Sequence, residues 1–281
     1  MEETAFVRYL DAKRTVDDRA LNRRVWDAMI SRAASPRVLE LGAGIGTMVQ
    51  RVIDDGRLKP SAWTLLDAQP GLIREARKRL EASASFHLDF SVADLDTYLD
   101  IHAAGGLERF DLIIANAFLD LFDPASILPR ILPLAKPSGM FLFSITFDGL
   151  TALEPQVDAD VDRRIIDLYH QTMDERIVNG RHSGDSNCGR HLLTLLPRCG
   201  YRIVEAGASD WVVHPTHGAY PADEQYFLSC ILAFFEESLG SRRELPAGEL
   251  DQWLSARRKQ LADGELVFVA HQLDVLAASP G

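Results

Sequence analysis

The sequence predicts an α/β protein: a mostly parallel sheet with helices on both faces and a helical insertion before the last strand. Three features lead there. Short, nearly continuous apolar runs alternate with helix-length segments over residues 36–147, the pattern of a parallel sheet covered on both sides. The first of these runs opens into a glycine-rich turn followed at once by a helix. After Phe147 the rhythm slows into longer amphipathic helices before a final apolar run.

Taken in order, the first thirty residues read as helix. Thr15-Val16-Asp17-Asp18 fits a helix-starting capping box, and Val16, Ala20, Leu21, Val25, Ala28 and Met29 recur at helical spacing. Ser35-Pro36 breaks the pattern. Strands are expected at Val38–Leu41, Trp63–Leu66, Phe86–Phe90, Leu112–Ala115 and Met140–Thr146, and helices at Thr47–Ile53, Leu72–Ala82, Leu95–Ala103 and Ile127–Ala135. Beyond Phe147, a helix over Asp160–Ile177 leads into a polar loop, Asn179–Gly189, and a helix over Cys188–Arg198. A strand region, Tyr201–Val213, precedes helices over Pro221–Leu239 and Gln252–Leu261 and the last run, Leu266–Leu276. No linker separates independent domains. The expectation is one domain, 1–281: a helical cap (1–35), a cofactor-binding core (36–147), a sixth strand with a helical lid and acceptor insertion (148–264), and a last strand with its tail (265–281).

Composition narrows the classes. With 281 residues, 47% of them hydrophobic and 25% charged, the chain is neither disordered nor low-complexity and can bury a sizeable core. Lys+Arg number 30 against 41 Asp+Glu, a net charge of −11 that repels phosphate backbones and anionic lipid. Neither nucleic acid nor a membrane is therefore expected as a partner. Cys188, Cys199 and Cys230 are three and show no CxxC spacing, which argues against a disulfide framework or a zinc ribbon. The acidic start Met1-Glu2-Glu3 lacks the features of a signal peptide, and Tyr226–Phe235 is shorter than the ~20 residues a bilayer span needs. A cytoplasmic location is expected.

The most informative segment is Val38-Leu39-Glu40-Leu41-Gly42-Ala43-Gly44-Ile45-Gly46-Thr47. A glycine turn between strand and helix lets backbone approach a ligand and aims free amides at it. The dinucleotide fingerprint wants its third glycine one position later, where Thr47 stands. Glu40-x-Gly42-x-Gly44-x-Gly46 instead resembles the first motif of class I S-adenosylmethionine (SAM)-dependent methyltransferases. Further elements follow in that family's order: Asp67 ending the second strand, Asp94-Leu95 after the third, Phe110 to Ala117 along the fourth, and Ala135-Lys136-Pro137-Ser138-Gly139 before the fifth.

The resemblance implies a Rossmann-like fold with a seven-stranded sheet. It implies SAM as cofactor, with S-adenosylhomocysteine as product, held by Glu40, Gly42, Ala43, Gly44, Gly46, Asp67, Ala68, Asp94, Leu95, Asn116 and Ala117. Asp67 would take the ribose diol, Asp94 the adenine side, and Asn116 would lie beside the methionine moiety. Tyr9, Lys13 and Arg14 lie in an N-terminal segment that many members fold over the cofactor, and Arg14 is the candidate partner for the methionine carboxylate. The implied reaction is transfer of a methyl group to a small molecule, at oxygen or nitrogen rather than carbon. A non-catalytic SAM-binding module and a nicotinamide-dependent oxidoreductase are the alternatives.

No general base is carried over from the family. His214 and His217, in the loop His214-Pro215-Thr216-His217-Gly218-Ala219-Tyr220, and Asp148, after the fifth strand, are the candidates. The His-x-x-His pair lacks a third ligand, so no metal is expected. Tyr169, Tyr226, Phe227 and Phe234 are candidate walls of an apolar acceptor pocket. A homodimer is left open.

Overall fold

The computed structural model describes residues 2–105 and 108–279. Met1 of the acidic start, and Pro280 and Gly281 of the tail, lie outside the described residues. Strands β1 (Arg37–Leu41), β2 (Ala62–Asp67), β3 (His87–Val92), β4 (Phe110–Asn116) and β5 (Ala135–Glu154) run parallel, in the order β3-β2-β1-β4-β5. A short hairpin, β6 (Ile177–Val178) and β7 (Arg181–His182), lies apart within the expected polar loop and its approach. The sheet is completed by β8 (Arg202–Ala208), β9 (Trp211–Val213) and β10 (Val267–Ala278); β10 is antiparallel to β5, β8 and β9. Seven strands form the continuous path β3-β2-β1-β4-β5-β10-β8, and β9 makes an eighth. The extra strand arises because the expected sixth strand breaks at Ser209-Asp210. There the Asp210 carboxylate accepts the Gln272 amide at 3.2 Å and contacts His271 Nδ1 at 2.7 Å.

Strand alternation sends neighbours to opposite faces. Val38, Leu112 and Leu142 pack under α2 (Arg23–Ile30), α3 (Thr47–Asp55) and α4 (Pro70–Leu80). Leu39, Ile113 and Phe141 face α5 (Leu95–Ala103), α6 (Pro124–Ile131) and α8 (Cys188–Arg198). A third core joins α1 (Glu3–Ala20), α7 (Ala159–Asp174), α9 (Glu224–Leu239) and α10 (Glu249–Ala262) over the outer ends of β9 and β10. Among the described residues no helix is long and apolar enough to cross a membrane.

Two expectations need correcting. Thr15-Val16-Asp17-Asp18 is not a helix start, because α1 is already under way from Glu3. Thr15 Oγ1 instead donates to Glu224 Oε1 at 2.8 Å, and Arg19 clamps the same buried carboxylate at 2.5 and 2.8 Å, fastening α1 to α9. The break falls at Leu21-Asn22, where the Asn22 side chain caps α2 by accepting the Arg24 and Val25 amides. The second correction is to the fifth strand, which continues past Thr146 to Glu154 because β10 pairs along it. That pairing has two irregularities: Ser144 and Ile145 share one position opposite Asp274, and Asp148–Leu150 bulge opposite His271.

All four indoles donate to carboxylates: Trp26 to Asp55 (3.0 Å), Trp63 to Glu40 (3.0 Å), Trp211 to Asp17 (2.9 Å) and Trp253 to Asp162 (2.6 Å).

Candidate active site

The carboxyl ends of β1 to β4 open on a cavity of about 750 Å³. It lies where the strand order reverses between β1 and β4, the place an open parallel sheet offers a ligand. Glu40, Gly42, Ala43, Gly44, Asp67, Ala68, Asp94, Leu95, Asn116 and Ala117 all line it. Gly42 stands at φ +66°, and a Cβ there would lie 2.2 Å from the Phe118 ring, so the turn closes only on glycine. Gly46 does not line the cavity. It precedes α3 at φ +79°, and a Cβ on it would meet Leu80 at 2.5 Å, so its work is packing α3 against α4.

The acids are held differently. Asp67 accepts the Gly44 amide at Oδ2 and the Gln69 amide at Oδ1, both at 2.9 Å; burial raises its pKa while those amides oppose the rise. Glu40 is fully buried and takes only the Trp63 indole, so burial pushes it up to about 8. Asp94 caps α5, accepting the Thr97 amide (2.9 Å) and hydroxyl (2.7 Å), which hold its carboxyl below the usual value. Asn116 Oδ1 accepts the Ser144 hydroxyl at 2.8 Å, and Ala117 turns left-handed at φ +48°.

Arg14 is not at the cavity. It points outward to Asp54 (2.6 Å) and Asp18 (3.5 Å), because one residue along a helix turns the side chain by about 100°. Lys13, its neighbour, is the one that turns inward: 7% exposed, it binds Asp17 at 2.5 Å, and Asp17 also holds Trp211. Lys13, Asp17 and Trp211 all line the cavity.

The three candidate bases lie elsewhere. His214 and His217 are exposed in the loop after β9, and neither lines the cavity. Asp148 is 4% exposed but belongs to the β5 bulge, accepting the Arg190 amide (2.7 Å) and Nε (2.9 Å), with His271 Nε2 at 3.4 Å. It anchors α8 to the sheet and is absent from the cavity lining. Among the described residues no three His, Cys, Asp or Glu side chains are grouped to hold a metal.

Away from the strand ends the cavity wall is aromatic: Phe6 and Tyr9 from α1, Phe147 from β5, Tyr169 from α7, Trp211 from β9 and Phe234 from α9. Tyr169 and Phe234 were expected there. Tyr226 and Phe227 are not: Tyr226 carries the Arg8 guanidinium 3.8 Å above its ring, and Phe227 is fully buried in the core.

Asp120, which local spacing does not single out, also lines the cavity. It sits in a 3-10 turn, Leu119–Leu121, directly after β4. Burial pushes its carboxyl up to about 6, with the charges of Arg176 and Lys13 opposing the rise. Its sequence signal is a lone acid in the apolar run Ala117-Phe118-Leu119-Asp120-Leu121-Phe122.

The strand order, the glycine turn and the acids at the strand ends define a cofactor site of the class I methyltransferase kind. A family profile described as a methyltransferase domain matches residues 33–178, just over half of the chain. The chain belongs to this family, the SAM-dependent class I methyltransferases. It is 31% identical over 180 residues to the biotin biosynthesis bifunctional protein BioCD of Bordetella avium, a match covering 59% of this chain and 36% of that protein. It is 34% identical over 113 residues to a trans-aconitate 2-methyltransferase of Methylobacterium nodulans, covering 40% and 39% respectively. The matches thus span about two fifths or less of the length of these relatives. In fold, it superposes on a candidate methyltransferase of Bacillus halodurans with a TM-score of 0.53 at 14% identity, covering 92% of this chain and all of that one.

Proposed function

We propose that the protein transfers a methyl group from SAM to a small-molecule acceptor, at oxygen or nitrogen. The observation that carries this reading is the continuity of one cavity, lined at one end by Glu40, Gly44, Asp67 and Asn116 and at the other by aromatic side chains from α1, α7, β9 and α9. The residues suit the cofactor: a carboxylate at Asp67 matches a ribose diol, and a glycine turn at Gly42–Gly44 gives backbone access. When bound, SAM supplies a methyl group activated on a sulfonium.

The protein's own part is to position and to exclude water. Methyl transfer is an in-line displacement, so fixing the acceptor against the donor supplies much of the acceleration. The aromatic wall and α1 shield the reacting centre, and Asn116, pinned by Ser144, fixes the end of β4 beside it. The net charge of −11 supports an acceptor other than nucleic acid.

Calorimetric titration with SAM, S-adenosylhomocysteine and NAD, repeated on Asp67→Ala, tests the cofactor. Both sulfur ligands should bind the wild type and be much weakened in the variant. Binding of NAD alone would replace this reading with an oxidoreductase. Methyl incorporation from labelled SAM into a panel of small hydroxy and amino compounds tests the transfer.

A further inference from the structure

Seven carboxylates line the cavity against two cations, Lys13 and Arg176, and no histidine does. Nearly every one of these carboxylates is already engaged. Lys13 and Trp211 hold Asp17, Trp63 holds Glu40, backbone amides hold Asp67, Thr97 holds Asp94 and Arg130 holds Asp96. Glu237 is free but exposed to solvent. Asp120 differs from all of them: its Oδ1 is buried and has no hydrogen-bond partner. A second buried acceptor in the wall, Gln272 Oε1, is also unpartnered. Two buried, unsatisfied acceptors in the lining of a cavity with an aromatic wall call for a ligand that brings hydrogen-bond donors.

Resting on the methyltransferase reading above, we propose that the acceptor is a largely apolar aromatic molecule bearing a phenolic hydroxyl, and that Asp120 is the base that takes its proton. The aromatic wall supplies stacking partners for such a body. A carboxylate acceptor has no proton to give up at neutral pH, and the excess of acids in the cavity repels it.

The step balances. The phenolic oxygen bonds to the methyl carbon as the carbon–sulfur bond breaks, its electron pair staying with sulfur. The phenolic proton passes to the Asp120 carboxylate and from there to solvent after product leaves. An acid pushed up to about 6 is a better match to a phenol than an ordinary carboxylate, yet stays ionised at pH 7. The groups facing it are Lys13 and Tyr9 from α1, Tyr169 from α7, Arg176 beyond that helix, Asp185, and Cys188 at the start of α8. Neither the Tyr9 nor the Tyr169 hydroxyl titrates near 6, since burial raises both.

The probes are 4-phenylphenol and its carboxylate counterpart, 4-phenylbenzoate, titrated into protein saturated with S-adenosylhomocysteine at pH 7.5. The phenol should bind at least about tenfold more tightly, and Asp120→Asn should shrink that ratio by strengthening the carboxylate. With labelled SAM, 4-phenylphenol should be methylated with kcat/KM rising tenfold per pH unit up to about 6 and level above it. Asp120→Asn should lower kcat by about 100-fold and abolish the limb, and Asp120→Glu should restore part of the rate. Unchanged S-adenosylhomocysteine affinity in both variants shows that they fold. Preference for the carboxylate, no binding of either probe, bound phenol that is never methylated, or a pH limb that survives Asp120→Asn each overturns the inference. Failure to bind S-adenosylhomocysteine at all overturns the methyltransferase reading, and this inference with it.

Discussion

Asp274 Oδ1 accepts the amide of Ile145 at 2.7 Å, at the point where Ile145 stands in the left-handed region with φ +53°. A β-branched residue there is costly, of order 1–2 kcal/mol. The bulge that imposes it pairs Ser144 and Ile145 against Asp274 and places Ile145 in the cavity wall. The other carboxylate oxygen takes the Asn22 amide at 2.8 Å, so one buried acid ties the sheet to the turn between α1 and α2.

Asp274→Ala should therefore strand two amides and release the bulge. A loss of about 2–5 kcal/mol is expected, read as a lower urea midpoint at unchanged slope. If unfolding is unaltered, the carboxylate is not what holds Ile145.

Glu40 gives stability a pH dependence of definite sign. Its folded pKa, about 8, lies above its unfolded value of 4.5, so the folded state holds a proton the unfolded state has lost. Stability should fall with rising pH between those values, by up to about 1.4 kcal/mol per unit, and level off above 8. Glu40→Gln should flatten that slope in denaturant titrations from pH 5 to 9.

Lys13 and Arg14 are adjacent, yet their loss should differ sharply. Lys13→Met leaves Asp17 charged and buried with only the Trp211 indole, and should destabilise by about 3–5 kcal/mol. Arg14→Met removes surface ion pairs and should change stability by less than about 1 kcal/mol, leaving S-adenosylhomocysteine affinity intact. Parallel melting curves and titrations check both.

The double variant His214→Ala, His217→Ala should retain methyl transfer within about twofold, since both rings sit in solvent outside the cavity. A loss of about 100-fold, the scale of a removed base, would return the base to that loop.

The strand-end side of the cavity was legible because each of its lining residues sits at the end of a strand, fixed by local sequence: a glycine turn after β1, an acid closing β2, an acid and an apolar residue after β3. The aromatic end was legible only in Tyr169 and Phe234. Its wall also gathers Phe6, Phe147 and Trp211, residues that no local spacing relates. Helix phase decides which N-terminal side chain faces the cavity: α1 is already under way at Glu3, so Lys13 turns in and Arg14 out. Asp148 is not the strand-end acid the sequence suggests, because β5 runs on for eight residues beyond Thr146, a continuation that depends on pairing with distant β10. The histidine loop stands out by residue type but sits in solvent, whereas Asp120 lines the cavity.

The indole–carboxylate pairs give the molecule its own optical reporters. Of the four acids that accept an indole, Glu40 and Asp17 line the cavity and Asp55 and Asp162 do not. Filling the strand-end region alters the field on Trp63 through Glu40, while filling the aromatic chamber touches Trp211 directly. Trp26 and Trp253 stay as internal references. Single Trp→Phe replacements at 63 and 211 would separate the two emission changes, so the order in which the two regions fill can be followed without a label.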